Sequence, residues 1–88
     1  MKIFKYKLQV TDIQVIDLPA GSKILDVQMQ YNELVLWALV NPELGTAHAT
    51  IHILGTGHDA SRVALCRHVG TFQAHGGDFI GHVFVQGF

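Results

Sequence analysis

Six histidines, His48, His52, His58, His68, His75 and His82, stand in a chain of 88 residues. Imidazole is the commonest metal ligand and the side chain best suited to moving protons near neutral pH, so metal binding and general acid–base chemistry come first to mind. The spacing resists both. His48 and His52 share one face of an extended segment but lie four residues apart, roughly 13 Å at strand rise, whereas two ligands of one zinc must each approach it to about 2.1 Å. A metal site would have to gather histidines from separate strands, because the sequence holds no cysteine pair and no HExxH helix. Cys66 and His68, two residues apart, are spaced roughly 6.6 Å at strand rise, and the pair is not read as a nucleophile and base. The carboxylates Asp12, Asp17, Asp26, Glu33, Glu43, Asp59 and Asp78 are scattered singly, and no nucleophile elbow or phosphate-binding glycine pattern occurs. No catalytic residue, metal ligand or cofactor is assigned, and a metal-dependent enzyme ranks third among the functional readings.

What remains concentrated is the set Gly55, Thr56, Gly57 and His58 together with Gln73, His75, Gly76, Gly77 and His82. Glycine lets a backbone come close to a ligand and aim successive N–H groups at an anion, while Thr, Gln and neutral His supply hydrogen bonds that fix orientation. These nine residues are the candidate ligand site. The plain alternative is two loops that use glycine for geometry and histidine for solubility.

The elements that must carry them read as strands. Residues 2 to 10 alternate, with Phe4, Tyr6, Leu8 and Val10 opposite Ile3, Lys5, Lys7 and Gln9, and Ile13 to Leu18 is a second candidate. Pro19-Ala20-Gly21-Ser22 has the residues of a tight reversal. From Lys23 to Tyr31, Leu25, Val27, Met29 and Tyr31 are expected on one face, and Asn32-Glu33 is expected to turn the chain. The unbroken apolar run Leu34 to Val40 reads as a central strand covered on both faces, with Trp37 in the core. Thr46 to Leu54 sets Ala47, Ala49, Ile51 and Ile53 against His48, Thr50, His52 and Leu54. Residues 59–66 could form one short helix, opposed by Val63 and the nearby glycines. Val69 to His75 and Asp78 to Gln86 are the last strands, joined through Gly76-Gly77, which predicts pairing of His75 with Asp78, Gln73 with Ile80 and Thr71 with His82. The fold class is mainly β, a small antiparallel sandwich or barrel of six to seven strands in a single domain spanning 1–88.

Composition limits the partners. Hydrophobic residues make up 49% and charged residues 15%, with a formal charge of −1. The charged fraction is below the roughly 25% of ordinary soluble domains, which points to apolar surface buried in a homo-oligomer. Nucleic acid is not expected as a partner, because the chain has no basic run. A lone cysteine and no apolar segment near the roughly 20 residues of a membrane helix lead to the expectation of a cytoplasmic protein without a membrane partner.

The stretches MKIFKY, LPAGSKIL, LWALV, GTGH and GTFQAHGGDFIGHVF are similar, in order and across most of the chain, to a family of small uncharacterised proteins encoded in bacteriophages and prophages. Gly55 to His58 and Gly70 to Gly77 match the two segments shared within it. The resemblance implies location in the bacterial host cell and action by binding. The leading expectation is a non-enzymatic, homo-oligomeric accessory protein that sequesters a small anionic ligand, such as a nucleotide signal of host immunity. The alternative is a protein-interaction or virion-associated structural module, motivated by low charge and the apolar C-terminus Phe84 to Phe88.

Overall fold

Apolar alternation resolves into seven strands: β1 (Lys2–Lys7), β2 (Ile13–Pro19), β3 (Lys23–Gln30), β4 (Glu33–Val40), β5 (Thr46–Gly55), β6 (Arg67–Ala74) and β7 (Phe79–Gln86). They are seen in a computed structural model that describes residues 1–88. β1, β4 and β3 form a three-stranded antiparallel sheet in that order, and β2, β5, β7 and β6 form a four-stranded one. The two stack as a flat sandwich of 40 × 30 × 16 Å. Leu34, Leu36, Ala38 and Val40 of β4 face Ala49, Ile51 and Ile53 of β5 and Val83 and Val85 of β7 in one buried cluster. Each fully buried Val, Leu or Ile contributes about 1.5–3 kcal/mol through burial, so this inner layer is the main source of stability.

Two glycines allow the layers to meet. A Cβ on Gly70 of β6 would come within 2.9 Å of Val27 Cγ1 on β3, and Arg67 Nη2 donates to the Ile24 carbonyl at 3.3 Å. The sheets therefore converge along β3 and β6. Gly81 of β7 leaves room for the Phe72 and Phe79 rings, which pack edge-on at 5.9 Å. Along the opposite side β1 and β2 are separate edges. There the Gln14 side chain brackets the chain after β1, donating to the Gln9 carbonyl and accepting from the Gln9 N–H at 2.7 and 3.0 Å.

Several expectations are corrected. β3 carries a bulge between Ile24 and Asp26, so Ile24 and Val27 both turn inward while Leu25 is 42% exposed, not part of an inward row. The following turn is centred one residue early, on Tyr31 and Asn32 with φ 50° and 64°, and the ladder closes at Gln30 and Glu33. β4 is central in its sheet but is covered by the second sheet on one face only. Trp37 lies on the other face and is half-buried, so it is not a core anchor. β1 ends at Lys7, and Val10 lies exposed in the connection to β2. The short helix expected over 59–66 is a single 3-10 turn, Ser61–Val63. Gln73 does pair with Ile80 and Thr71 with His82, but the ladder closes at Ala74 and Phe79. His75 joins the two glycines in the turn with φ 54° and is bridged to Asp78 only by the Asp78 N–H to His75 carbonyl bond at 3.2 Å.

Candidate functional site

The histidines are sorted by the topology. β5 and β6 both flank β7 and run the same way, so residues 56–66 must cross over β7 to join the end of one to the start of the other. The crossing passes over the face of the four-stranded sheet turned away from the core, and two histidines tie it down. His82 bridges Thr56 Oγ1, 2.7 Å from Nε2, and Thr71 Oγ1, 3.0 Å from Nδ1. A neutral ring has one donor and one acceptor, so one hydroxyl accepts from it and the other donates to it. His52, only 6% exposed, accepts at Nδ1 from Arg62 Nε at 3.3 Å. Arginine has only donors, so His52 is neutral with its proton on Nε2, which donates to Gln86 Oε1 at 3.3 Å. Arg62 Nη2 also donates to the Asp12 and Ile53 carbonyls, both at 3.2 Å. Leu54 and Val63 are buried outside the main core, as residues under such a crossing should be.

A second feature sits at the end of the sandwich where β5 stops. Val10, Thr11, Asp12, Ile53, Gly55, His58 and Phe79 line a half-open cavity of about 120 Å³. Gly55 matters sterically, since a Cβ there would lie 2.9 Å from His58 Cε1 and 3.3 Å from Phe79 Cε1. Gly57, at φ 88°, makes the reversal that folds His58 back onto Gly55, whose carbonyl accepts from the His58 N–H at 3.2 Å. Small-molecule pockets typically measure about 300–1,000 Å³. The cavity therefore holds a side-chain-sized group rather than a nucleotide, and Asp12, one of its lining residues, brings a formal negative charge near it that disfavours an anion.

The nine residues expected to form one site thus occupy three places. Thr56 and His82 meet on the outer face of the four-stranded sheet, where Gln73 also points, beside Ile80 in the register. Gly55 and His58 stand on the opposite, core-facing side of that sheet. Gly57 is in the turn between them. His75, Gly76 and Gly77 form the β6–β7 turn, about 10 Å further along the strands by residue count. Of the other histidines, His48 bonds Asp17 on the exposed β2–β5 pair, and His68 packs on Phe84 at 5.2 Å while reaching Thr71 Oγ1 at 3.3 Å.

The exposed face of the three-stranded sheet was missed from sequence. Its cross-strand rows are Ile3, Leu39 and Lys23, then Lys5, Trp37 and Asp26, then Lys7, Val35 and Gln28. Ile3 is 61% exposed, Trp37 and Leu39 are half-buried, and the bulge adds Leu25. Lys5 Nζ donates to Gln30 Oε1 and Lys7 pairs with Glu33, both at 3.0 Å. The result is an apolar ridge on β4 with a charged border, mostly basic. The signal available in the sequence was Ile3, Lys5 and Lys7 alternating against the inward row of β1.

Residues 1–87 match the family described as Domain of unknown function (DUF7352), and the chain belongs to that family. No curated protein and no solved structure matches the chain.

Proposed function

We propose that this domain is a non-catalytic protein-interaction module that works through the outer face of the three-stranded sheet. The observation that carries the reading is the ridge of Ile3, Trp37, Leu39 and Leu25 bordered by Lys5, Lys7 and Lys23. Protein interfaces combine a desolvated apolar centre with a polar rim, and tryptophan is prominent among the residues that dominate their energetics. The partner is a protein surface with an apolar centre and an acidic border. In keeping with the sequence resemblance, the setting is a bacteriophage or prophage accessory protein acting in the host cytoplasm or in the particle.

A second reading, capture of a small anionic ligand such as a nucleotide, is supported by the cavity beside Gly55 and His58. It is disfavoured by the cavity's volume and by Asp12 in its wall. Native mass spectrometry of protein purified from its host separates the two. Retained mass of protein size, lost in the Ile3→Asp, Leu25→Asp double variant, supports the interaction module. Retained mass of nucleotide size, lost in His58→Ala with thermal stability unchanged, overturns it in favour of the second reading.

A further inference from the structure

We propose that two copies of this chain pair antiparallel along β2, extending each four-stranded sheet into one of eight strands. This does not rest on the partner-binding face, which lies on the other sheet. Of the four sheet edges, β3 and β6 lie against each other, as the Gly70–Val27 approach and the Arg67–Ile24 bond show. β1 carries exposed Lys2, Lys5 and Lys7, the usual protection of an edge against pairing. β2 has no lysine and no bulge, and exposes Ile13 at 52% and Val15 at 60%.

The hydrogen-bond pattern fixes which groups face outward. The Ile53 N–H donates to the Asp12 carbonyl at 3.0 Å and the Ala20 N–H to the Gly45 carbonyl at 2.6 Å. Even-numbered residues of this segment therefore address β5. In an antiparallel ladder the alternate residues then turn their N–H and C=O groups away from it, so Ile13, Val15 and Asp17 present theirs along the open edge.

β2 is also complementary to itself. With a two-fold axis at Gln14, Ile13 lies opposite Val15 of the second copy and Val15 opposite its Ile13, forming one apolar quartet, while Asp17 falls beside Thr11 of the second copy. Moving the axis to Val15 sets Ile13 opposite Asp17. Moving it to Ile16 sets Val15 opposite Asp17 and Ile13 opposite Pro19, which lacks an N–H. Only the Gln14 axis sets both Ile13 and Val15 opposite an apolar residue, and at that axis the two chains form a non-hydrogen-bonded pair.

Sedimentation velocity of the full chain over a range of concentrations tests this, together with amide exchange and a cysteine cross-link. The wild type should approach twice the 9.7 kDa chain mass, with the Ile13, Val15 and Asp17 amides protected at high concentration and not at low. Val15→Lys and Ile13→Lys, both at exposed positions, should weaken the dimer about tenfold or more with thermal stability of the monomer retained, since each sets a lysine opposite an apolar residue of the second copy and diagonal to that copy's own new lysine. Gln14→Cys in a Cys66→Ser background should oxidise to a covalent dimer. A wild type that is monomeric throughout, a dimer indifferent to both lysine variants, or β2 amides whose protection ignores concentration would each overturn the pairing.

Discussion

Gly81→Ala is the substitution whose outcome follows most directly from the packing. Gly81 lies on the core-facing side of β7, with the Phe72 and Phe79 rings closing over it. An added Cβ would stand 2.5 Å from Phe72 Cε1, nearer still to its Cζ, and 3.1 Å from Phe79 Cε2. Carbon pairs prefer about 3.5–4.0 Å, so an overlap of about 1 Å must be relieved. Phe72 is 3% exposed and a ring moves as a unit, so relief means displacing both aromatics. Overpacking costs about 1–3 kcal/mol. With contacts to two rings the upper end applies, offset by about 0.4–1 kcal/mol from the reduced freedom of the unfolded chain. The net loss is about 2 kcal/mol, or a fall in Tm of roughly 8–16 °C for a domain of this size. Thermal and urea unfolding measure it, and Phe72→Leu in the same chain should return at least about 1 kcal/mol as a coupling term. A Gly81→Ala protein as stable as the wild type, or more so, would refute the placement of these rings.

Three further outcomes are expected. Nitrogen-15 NMR of the imidazoles should show His52 as the Nε2–H tautomer, and Arg62→Met should speed amide exchange across residues 56–66 while costing about 1–3 kcal/mol, the net worth of its three hydrogen bonds. The Asp59 carboxyl is held below the usual carboxylate range by hydrogen bonds from the Ser61 hydroxyl and N–H. Its contribution to stability is thus present above the unfolded-state value and lost as pH falls through the lowered folded value, and a carboxyl NMR titration of Ser61→Ala should show Asp59 moving back up. Tyr31→Asn with Asn32→Gly should stabilise the β3–β4 hairpin by about 0.5–1 kcal/mol in chemical unfolding, because both positions already have positive φ.

The strands were legible because apolar alternation is a local signal. β5 shows this most clearly, with Ala49, Ile51 and Ile53 inward and His48, Thr50 and His52 outward. The β6–β7 register was legible too, since Gly76-Gly77 pins the pairing of Gln73 with Ile80. The β3 bulge was not, because Ile24-Leu25 offers two apolar residues and only the pairing with β4 decides which turns inward. Trp37 was misplaced for a related reason: an unbroken apolar strand does not say whether a second layer covers it, and here one face is left to the solvent-side border of lysines. The candidate site was legible only as residue types. Thr56 with His82, and Gly55 with His58, are brought together by the crossing over β7 and the closeness of Gly55 to Phe79. The Arg62–His52 bond and the cavity wall of Val10, Thr11 and Asp12 depend on strand order, which no local pattern encodes.

On the function proposed above, the face built on Trp37 and Leu39 receives a protein. Its border supplies the probe, since Lys5, Lys7 and Lys23 are exposed amines on or beside that face. Carbodiimide cross-linking, which joins amines to carboxylates, in fresh lysate of the cells that make the protein, followed by mass spectrometry, should link those three lysines to acidic segments of one protein. The same links should vanish in the Ile3→Asp, Leu25→Asp double variant while its fold and Tm are kept. Cross-links that avoid the three lysines, or that persist unchanged in the double variant, would rule out this face as the docking surface.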